Sequence, residues 1–278
     1  MVEIGKINKL EIAREVPFGV YLNGLELGEM LMPQKFLTPG LQIGDFVDVL
    51  VYKDSEDRLV ATTEKPYALA GEFALLKAVE VNNTGAFFDL GLPKHLLVPY
   101  REQKIRIEEG NLYIVHIYLD VESKRLAGST KLDKYLDNVP PDYEVGQEVD
   151  LLICSKTDIG YKAIINNTHW GLLFANEVFT NIKRGSKIKG YIKTIREDEK
   201  IDLTLQKGGF ADIDNLAKNI LQKLEQNEGF LAVNDKTSAD EISKIFGVSK
   251  KNFKKSIGSL YKNRLITIEE DGIRIAKK

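Results

Sequence analysis

Aromatic side chains lie beside a glycine in two stretches of this chain, and their chemistry suits contact with nucleobases. Phe18 and Tyr21 flank Gly19, and Phe87 closely follows Gly85. An aromatic ring on the outward face of a strand stacks on a nucleobase, which contributes about 1–3 kcal/mol per base. These three rings are therefore predicted to contact the exposed bases of a single-stranded nucleic acid, although rings at this spacing also occur in the cores of small barrels.

Lysines and arginines lie in stretches that read as strands, where their charges suit phosphate binding. In the stretch KIKGYIK the apolar residues Ile188 and Ile192 alternate with cations, so one face of the predicted strand is apolar and the other basic. Cations on such a face hold phosphates without reading the base. The predicted phosphate contacts of this kind are Arg58, Arg125, Lys162, Lys187, Lys189 and Lys193.

The elements that position these residues recur three times in one frame. The first position of the frame is a glycine that opens an apolar run: Gly19, Gly85 and Gly160. The second lies at an equal distance downstream in each copy: Pro33, Pro99 and Phe174. Each copy ends in an alternating run such as RLVATT or KIDLTL, and the whole pattern predicts about five short strands per copy. We therefore expect three small barrels, and Phe174 is predicted to be the stacking ring of the third.

Proline and glycine pairs divide the chain after the last strand of each copy. Lys65-Pro66, Pro140-Pro141 and Gly208-Gly209 stand where a β-ladder cannot easily continue. The predicted domains are three barrels and a tail, at residues 1–65, 66–138, 139–208 and 209–278. The fold class is thus multidomain and mainly β, with a tail of a different kind.

The tail changes from strand to helix periodicity. Apolar spacing predicts a helix over residues 211–226, with Ile213 on its apolar face, and Ser238 and Ser249 each stand as the N-cap of a further helix. Asp271-Gly272 predicts a hairpin turn between two final strands. This order is that of an α+β winged helix-turn-helix domain.

The third helix of the tail is basic, whereas the tip of the wing is acidic. The cations predicted to contact nucleic acid on this helix are Lys250, Lys251, Lys254 and Lys255. The wing carries Glu269, Glu270 and Asp271, which would repel the phosphates of a duplex. Single-stranded RNA is therefore the expected ligand, duplex DNA is less expected, and a protein contact is an open alternative.

Composition and motifs argue against several other classes of protein. The chain has 278 residues, 43% of them hydrophobic, a net charge of −2 and a single cysteine, Cys154, which is predicted to pack as a small strand hydrophobe. No segment reads as a signal peptide or membrane span, so the expected location is the cytoplasm. We find no catalytic motif, no metal-ligand spacing and no need for a cofactor, and we place His95, His116 and His169 on the surface or a barrel rim.

Several longer motifs resemble known families. The stretches TGAFFDLG, LLVP and GNLYIVHIYLDVESKRL resemble the S1-type RNA-binding domain, so each of the three barrels is expected to be an S1-like oligonucleotide-binding (OB-fold) barrel. The order of three such domains and a winged helix is similar to that of the bacterial conserved virulence factor B family, through RLVATTEKP, DIGYKAIINNTHWGLLFANEVF and GVSKKNFKKSIGSLYKNRLI. This resemblance implies a cytoplasmic bacterial RNA-binding protein that regulates gene expression after transcription, with Phe18, Tyr21 and Phe87 at base-stacking positions.

The expected function is therefore non-catalytic binding of single-stranded RNA. Two alternatives belong to other classes. One is an adaptor that docks to the ribosome or to RNA-degradation machinery, and the other is a DNA-binding transcription regulator.

Overall fold

The computed structural model describes residues 1–175, 178, 181–206 and 210–276, and for 210–215 only the backbone. The chain divides into two compact units, Met1–Val139 and Pro140–Lys278. The predicted boundary at Gly208-Gly209 and the side chain of Ile213 lie outside the described residues, and the four predicted domain ranges stay predictions.

The first unit begins with a closed barrel, here called barrel 1. Its strands are β1 (Ile7–Val16), β2 (Gly19–Asn23), β3 (Glu29–Pro33), β4 (Phe46–Lys53) and β5 (Leu59–Thr62). The strands close in the order β1-β2-β3-β5-β4, with β3 and β5 parallel and the other described pairs antiparallel. Val20, Leu22 and Met32 point inward and are buried.

Barrel 2 completes the first unit with the same topology. Its strands are β6 (Phe73–Val81), β7 (Gly85–Phe88), β8 (Leu96–Pro99), β9 (Leu112–Leu119) and β10 (Leu126–Ser129). Its buried cluster includes Phe88 and Val98, and it also takes in Leu50, Tyr52 and Val60 of barrel 1. The two barrels therefore share apolar packing inside one unit.

The second unit begins with barrel 3. Its strands are β11 (Glu148–Thr157), β12 (Gly160–Ile165), β13 (His169–Phe174), β14 (Lys187–Ile195) and β15 (Ile201–Thr204). They close in the order β11-β12-β13-β15-β14, which is the strand order of barrel 1 moved along the chain. Single turns of 3-10 helix occur in the first unit at Leu25–Leu27, Gln34–Phe36, Tyr100–Glu102 and Leu132–Lys134.

The frame glycines occupy one equivalent position in the three barrels, where the second and third strands approach most closely. Gly19 pairs with Pro33, Gly85 with Pro99 and Gly160 with Phe174. A Cβ atom on any of these glycines would overlap a backbone carbonyl oxygen of the facing strand. Only glycine permits this approach, so the repeated spacing marks a requirement of barrel closure.

The winged helix follows in the second unit. It consists of α1 (Phe210–Gln226), β16 (Phe230–Leu231), α2 (Ala239–Phe246), α3 (Lys250–Lys262), β17 (Ile266–Ile268) and β18 (Ile273–Ile275). Both predicted N-caps are confirmed, because the Ser238 hydroxyl accepts a hydrogen bond from the Glu241 amide and that of Ser249 from the Asn252 amide. Strand β16, which the sequence pattern did not indicate, adds a third strand beside β18.

Two of the three histidines lie in the interior, so their predicted place on the surface or a barrel rim is wrong. His116 stacks on Tyr135 with ring centroids 3.8 Å apart and contacts Phe73 at 4.6 Å. His169 is 4% exposed, and its Nδ1 lies 2.8 Å from the Tyr143 hydroxyl.

Cys154 is a buried strand residue, as predicted. Burial raises the pKa of its thiol to about 12. The described residues contain no cluster of His, Cys, Asp or Glu arranged to hold a metal ion, and none of their helices is long and apolar enough to span a membrane.

Burial of His116 makes the stability of the first unit depend on pH. Burial lowers the pKa of His116 to about 4, and its Nδ1 has no hydrogen-bond partner. The unfolded chain, in which a histidine pKa is near 6.5, therefore binds the proton first, so the free energy of unfolding falls as the pH drops from about 6.5 to about 4. The full shift corresponds to a loss of up to about 3 kcal/mol.

Chemical denaturation across this pH range checks the prediction. His116→Phe keeps the ring stacking and should flatten the pH dependence of the unfolding free energy. The same change at His95, which is exposed, is the control. Parallel pH curves for the His116 variant and the wild type would contradict the assignment.

Candidate nucleic-acid interface

Each barrel presents a row of cross-strand neighbours on its outer surface, which we call the outward row. In barrel 2 Phe87 pairs with Leu97, Leu97 with Ala127, and Ala127 with Tyr118. Paired residues share one face of a sheet. Phe87, Leu97 and Tyr118 are partly exposed, whereas the next residue, Phe88, is fully buried.

The repeat frame places equivalent rows in the other two barrels. The row of barrel 1 is Tyr21, Leu31, Val60 and Tyr52. The row of barrel 3 is Lys162, Leu172, Asp202 and Thr194. The three rows have the same position and different chemistry, because the first is apolar and aromatic and the third is mostly polar.

The outward row of barrel 1 is largely covered. Tyr52 and Val60 are buried in the cluster shared with barrel 2. The Arg14 guanidinium lies 3.9 Å from the centroid of the Tyr21 ring, and a salt bridge to Glu29 at 2.9 Å fixes it there. A base would have to displace this cation before it stacked on that face of Tyr21.

Two other predicted site residues of barrel 1 lie on its surface. Phe18 is 56% exposed and directly precedes β2. Arg58 forms salt bridges with Asp54 at 2.8 Å and with Glu56 at 3.0 Å, so carboxylates already neutralise its charge.

The outward row of barrel 2 faces a cleft between barrels 1 and 2. Phe87 and Arg125 both line it, so two predicted site residues are brought together here. The Arg125 Nε lies 2.7 Å from the Asp57 carboxylate of barrel 1. That contact joins the two barrels across the cleft.

Barrel 3 combines rings with cations on its outer surface. Lys162 lies 3.7 Å from the centroid of the Trp170 ring. Phe174 has Lys193 at 5.8 Å and Arg196 at 5.9 Å from its ring centroid. Trp170 and Phe174 share a face of β13, since residues separated by an even number of positions along a strand point to the same side. Two partly exposed rings therefore lie among three cations on one surface.

The lysines of β14 divide between two environments. Lys193 lies near Phe174, whereas Lys189 forms salt bridges with Asp150 at 2.8 Å and Glu148 at 3.8 Å. Lys187 is exposed at the start of the strand, opposite Leu152 of β11. Buried and exposed residues alternate along β14 as expected. The carboxylates of Glu148 and Asp150 on β11 reduce the positive charge near the start of the strand.

Helix α3 adds a basic surface to the second unit. The Asn252 side-chain amide donates a hydrogen bond to the Gln206 side chain at 2.6 Å, so the start of α3 adjoins the end of barrel 3. Lys251 and Lys255 are exposed and form no salt bridge within the described residues. Lys250 donates to the Lys236 carbonyl at 3.3 Å, and Lys254 lies 3.8 Å from a carboxylate, that of Asp235.

The acidic wing is held in place by the loop before α2. The side-chain amide of Asn234, which is 7% exposed, donates to the carbonyls of Glu269 at 3.1 Å and Glu270 at 2.9 Å. Arg274 lies 3.4 Å from the Glu269 carboxylate. The Glu270 and Asp271 side chains remain exposed at the tip.

Sequence reasoning missed two residues of the barrel 3 surface. Trp170 is the only tryptophan of the chain, and its even spacing with Phe174 in HWGLLF was a usable signal. Arg196 follows β14 and reaches Phe174 only through the fold, while its guanidinium also binds Asp202 at 2.7 Å. No local pattern would have indicated that contact.

Comparison with known proteins agrees with this architecture. A model of the S1 domain matches residues 4–64, and a model of the CvfB-like winged helix domain matches residues 218–275. A protein named conserved virulence factor B from Staphylococcus saprophyticus is 27% identical over 260 residues, which cover 86% of this chain and 82% of that relative. The protein of that name from Staphylococcus aureus is 24% identical over 250 residues, with the same coverage. This chain is therefore similar to the conserved virulence factor B proteins over most of its length.

The three closed barrels and the two matched domain models confirm the expected fold class of OB-type barrels followed by a winged helix. Both S1-type barrels and winged helices are domain types that bind nucleic acids. A solved multidomain protein with nucleic acid binding domains from Streptococcus pneumoniae is 23% identical, covers 98% of both chains and has a TM-score of 0.40.

Neighbouring phenylalanines of β7 test whether the outward row is a surface. Phe88→Ala should cost about 3–5 kcal/mol of unfolding free energy, because Phe88 is fully buried in the core of barrel 2. Phe87→Ala should cost at least about 2 kcal/mol less, since its ring is partly exposed. Urea denaturation of both variants measures this difference, and equal losses would place Phe87 in the core.

Proposed function

We propose that this protein binds single-stranded RNA without catalysing a reaction, and that it regulates gene expression after transcription through this binding. The observation that supports it most is the barrel 3 surface, where Lys193 and Arg196 lie 5.8 and 5.9 Å from the Phe174 ring centroid. Trp170 adds a second ring, one face of which Lys162 covers. Rings that stack on bases, next to cations that hold phosphates, are what a single strand needs.

The exposure of the bases favours a single strand over a duplex. In a duplex the bases are stacked on one another, so a protein ring cannot reach their faces without unpairing them. The acidic tip at Glu270 and Asp271 also opposes the approach of a wing to a duplex backbone.

The exposed lysines of α3 supply further phosphate contacts in the same unit. The Asn252–Gln206 hydrogen bond holds the start of α3 beside the end of β15. An RNA strand bound to barrel 3 can therefore extend onto α3, where Lys251 and Lys255 are exposed. Such contacts bind all sequences alike and weaken with salt.

A protein-interaction adaptor is the second candidate, and barrel 1 favours it. Its outward row is largely covered, whereas Ile43 and Phe46 are 63% and 58% exposed. An apolar pair of this kind suits contact with another protein, such as a component of the ribosome or of the RNA-degradation machinery.

Comparison of two ligands tests the proposed function. We expect single-stranded RNA to bind more tightly than duplex DNA of matched length at physiological salt, as measured by fluorescence anisotropy on the full chain. Equal or tighter binding of the duplex would favour a DNA-binding regulator. If neither ligand binds, the result would favour the protein-interaction adaptor.

Removal of the Phe174 ring tests whether the RNA strand lies on the barrel 3 surface. Phe174→Ala should weaken single-stranded RNA binding by about five-fold to 150-fold, which corresponds to about 1–3 kcal/mol for one stacked base. Phe46→Ala is the control, because Phe46 is an exposed aromatic residue of barrel 1, outside the proposed surface. A loss of affinity in the Phe46 variant alone would contradict the proposed surface.

Charge reversal tests the phosphate binding separately. In the double variant Lys193→Glu, Arg196→Glu, the slope of log affinity against log salt should decrease by about 0.7 for each phosphate of a single strand that is no longer neutralised. Lys9→Glu, an exposed change on β1, should leave the slope as in the wild type. An unchanged slope in the double variant would show that these cations face away from RNA.

A further inference from the structure

Residues 130–138, which follow β10, pack against the outer side of barrel 2, and we call this segment the strap. The Tyr135 ring stacks on that of His116 with centroids 3.8 Å apart, and it lies 6.0 Å from the ring of Tyr118. The next residue, Leu136, is 3% exposed. The strap is therefore anchored on β9 by an aromatic contact and a buried leucine.

His116 is an outward residue of barrel 2 that the strap buries. Its neighbours along β9, Val115 and Ile117, belong to the core of the barrel, so the His116 side chain points to the outer surface. Phe73 of β6 pairs with His116 and shares that face. His116 is nevertheless only 6% exposed, because the Tyr135 ring lies over it.

Barrel 3 has the same topology and leaves the corresponding face uncovered. Its strands β11 and β14 pair as β6 and β9 do in barrel 2, with Glu148 opposite Tyr191 where barrel 2 has Phe73 opposite His116. Glu148 is exposed and Tyr191 is partly exposed. A barrel of this topology therefore does not need a strap for its five strands to pair.

One buried carboxylate fastens the strap to the barrel. Glu102, which is 8% exposed, accepts hydrogen bonds from the Ser129 hydroxyl at 2.7 Å and from the Lys134 ammonium at 2.7 Å. The Thr130 amide donates to the Glu102 carbonyl at 2.9 Å. Polar bonds thus hold the start and middle of the strap, and ring stacking holds its end.

The stacking contact at the end of the strap requires a neutral histidine. Burial lowers the pKa of His116 to about 4, and its Nδ1 has no hydrogen-bond partner. An open strap would return the imidazole to water, where its pKa is near 6.5. Because the open form binds the proton more tightly, the stability of the closed strap is fully present above pH 6.5 and is lost as the pH falls toward 4.

The side chains that face His116 from the surrounding segments are uncharged. They are Phe73 of β6, Tyr118 of β9, Ser129 of β10 and Tyr135 of the strap. Burial raises the pKa of both tyrosines, that of Tyr118 to about 12, so their phenols carry no charge at pH 7 or below. The adjoining charges of Glu102 and Lys134 pair with each other at 2.7 Å. A proton on His116 would therefore place a charge in a buried cluster of neutral groups.

We infer that residues 130–138 are a proton-sensitive strap, which opens from barrel 2 as the pH falls while the barrel stays folded. Opening releases the chain from Thr130 onward, and the second compact unit begins at Pro140. The strap therefore sets the length of free chain between the two units. This device lies in the first unit and does not rest on the RNA binding proposed for the barrel 3 surface.

Hydrogen exchange of the full chain, measured by mass spectrometry at pH 7.5 and pH 5 and corrected for the intrinsic exchange rates, tests the inference. The amides of Thr130, Lys134 and Tyr135 report on the strap, because each is hydrogen-bonded when it is closed. Their protection should fall by about 25-fold between the two pH values, as histidine pKa values of about 4 and about 6.5 imply. At both pH values they should exchange faster than the amides of β7, since the barrel remains folded.

Two variants separate the proton from the rest of the fastening. His116→Phe keeps a ring beneath Tyr135 and should make the protection of the strap independent of pH, and His95→Phe, at an exposed histidine, is its control. Lys134→Met removes a bond to Glu102 and should lower the protection of the strap at pH 7.5. Lys77→Met, an exposed change on β6, is the matched control and should leave it unchanged.

Three results would overturn the inference. Equal protection of the strap and of β7 would mean that the strap opens only when the barrel unfolds, and this wild-type comparison stands whether or not a variant folds. Strap protection that is the same at pH 7.5 and pH 5 would exclude the proton as the trigger. An unaltered pH dependence in the His116→Phe variant would assign the proton to another group.

Discussion

The close approach of two strands at a glycine is the contact on which each barrel depends. At Gly19, Gly85 and Gly160 the second strand lies so near the third that a Cβ atom would overlap a carbonyl oxygen. The approach fixes the register of these two strands, and a one-residue slip would exchange core and surface. Every residue of an outward row therefore takes its position from this contact.

The three barrels share one repeat frame, but their outer surfaces carry different side chains and are covered to different extents. In barrel 1 the row is used for packing, since Tyr52 and Val60 are buried beside barrel 2. In barrel 2 the row becomes the wall of a cleft that both barrels line. In barrel 3 the rings of Trp170 and Phe174 lie among cations. Repetition supplies the scaffold, and side-chain replacement at equal positions gives the outer surface of each barrel a different chemistry.

The sequence was sufficient for the fold because its signals are local and repeated. Glycine spacing indicated the barrels, and the caps at Ser238 and Ser249 indicated the helices of the tail. Strand β16 was missed because two residues carry no periodicity, and its partner β18 lies far along the chain. His116 was misplaced for a related reason, since Tyr135, which covers it, belongs to no strand of the barrel.

The candidate sites were harder to predict because charges are compensated by residues distant in sequence. Arg125 pairs with Asp57 across two barrels, and Lys189 pairs with Asp150 on a neighbouring strand. Neither pairing has a sequence signal. Residue type indicated which side chains suit bases and phosphates, while the fold decides which of those charges a ligand can use.

Photo-crosslinking tests whether a single RNA strand lies on barrel 3 and α3. RNA containing 4-thiouridine would be irradiated in complex with the full chain, and the crosslinked peptides identified by mass spectrometry. We expect crosslinks to the peptides that contain Trp170, Phe174 and the lysines of α3. Crosslinks confined to barrel 1, with none in the second unit, would contradict it.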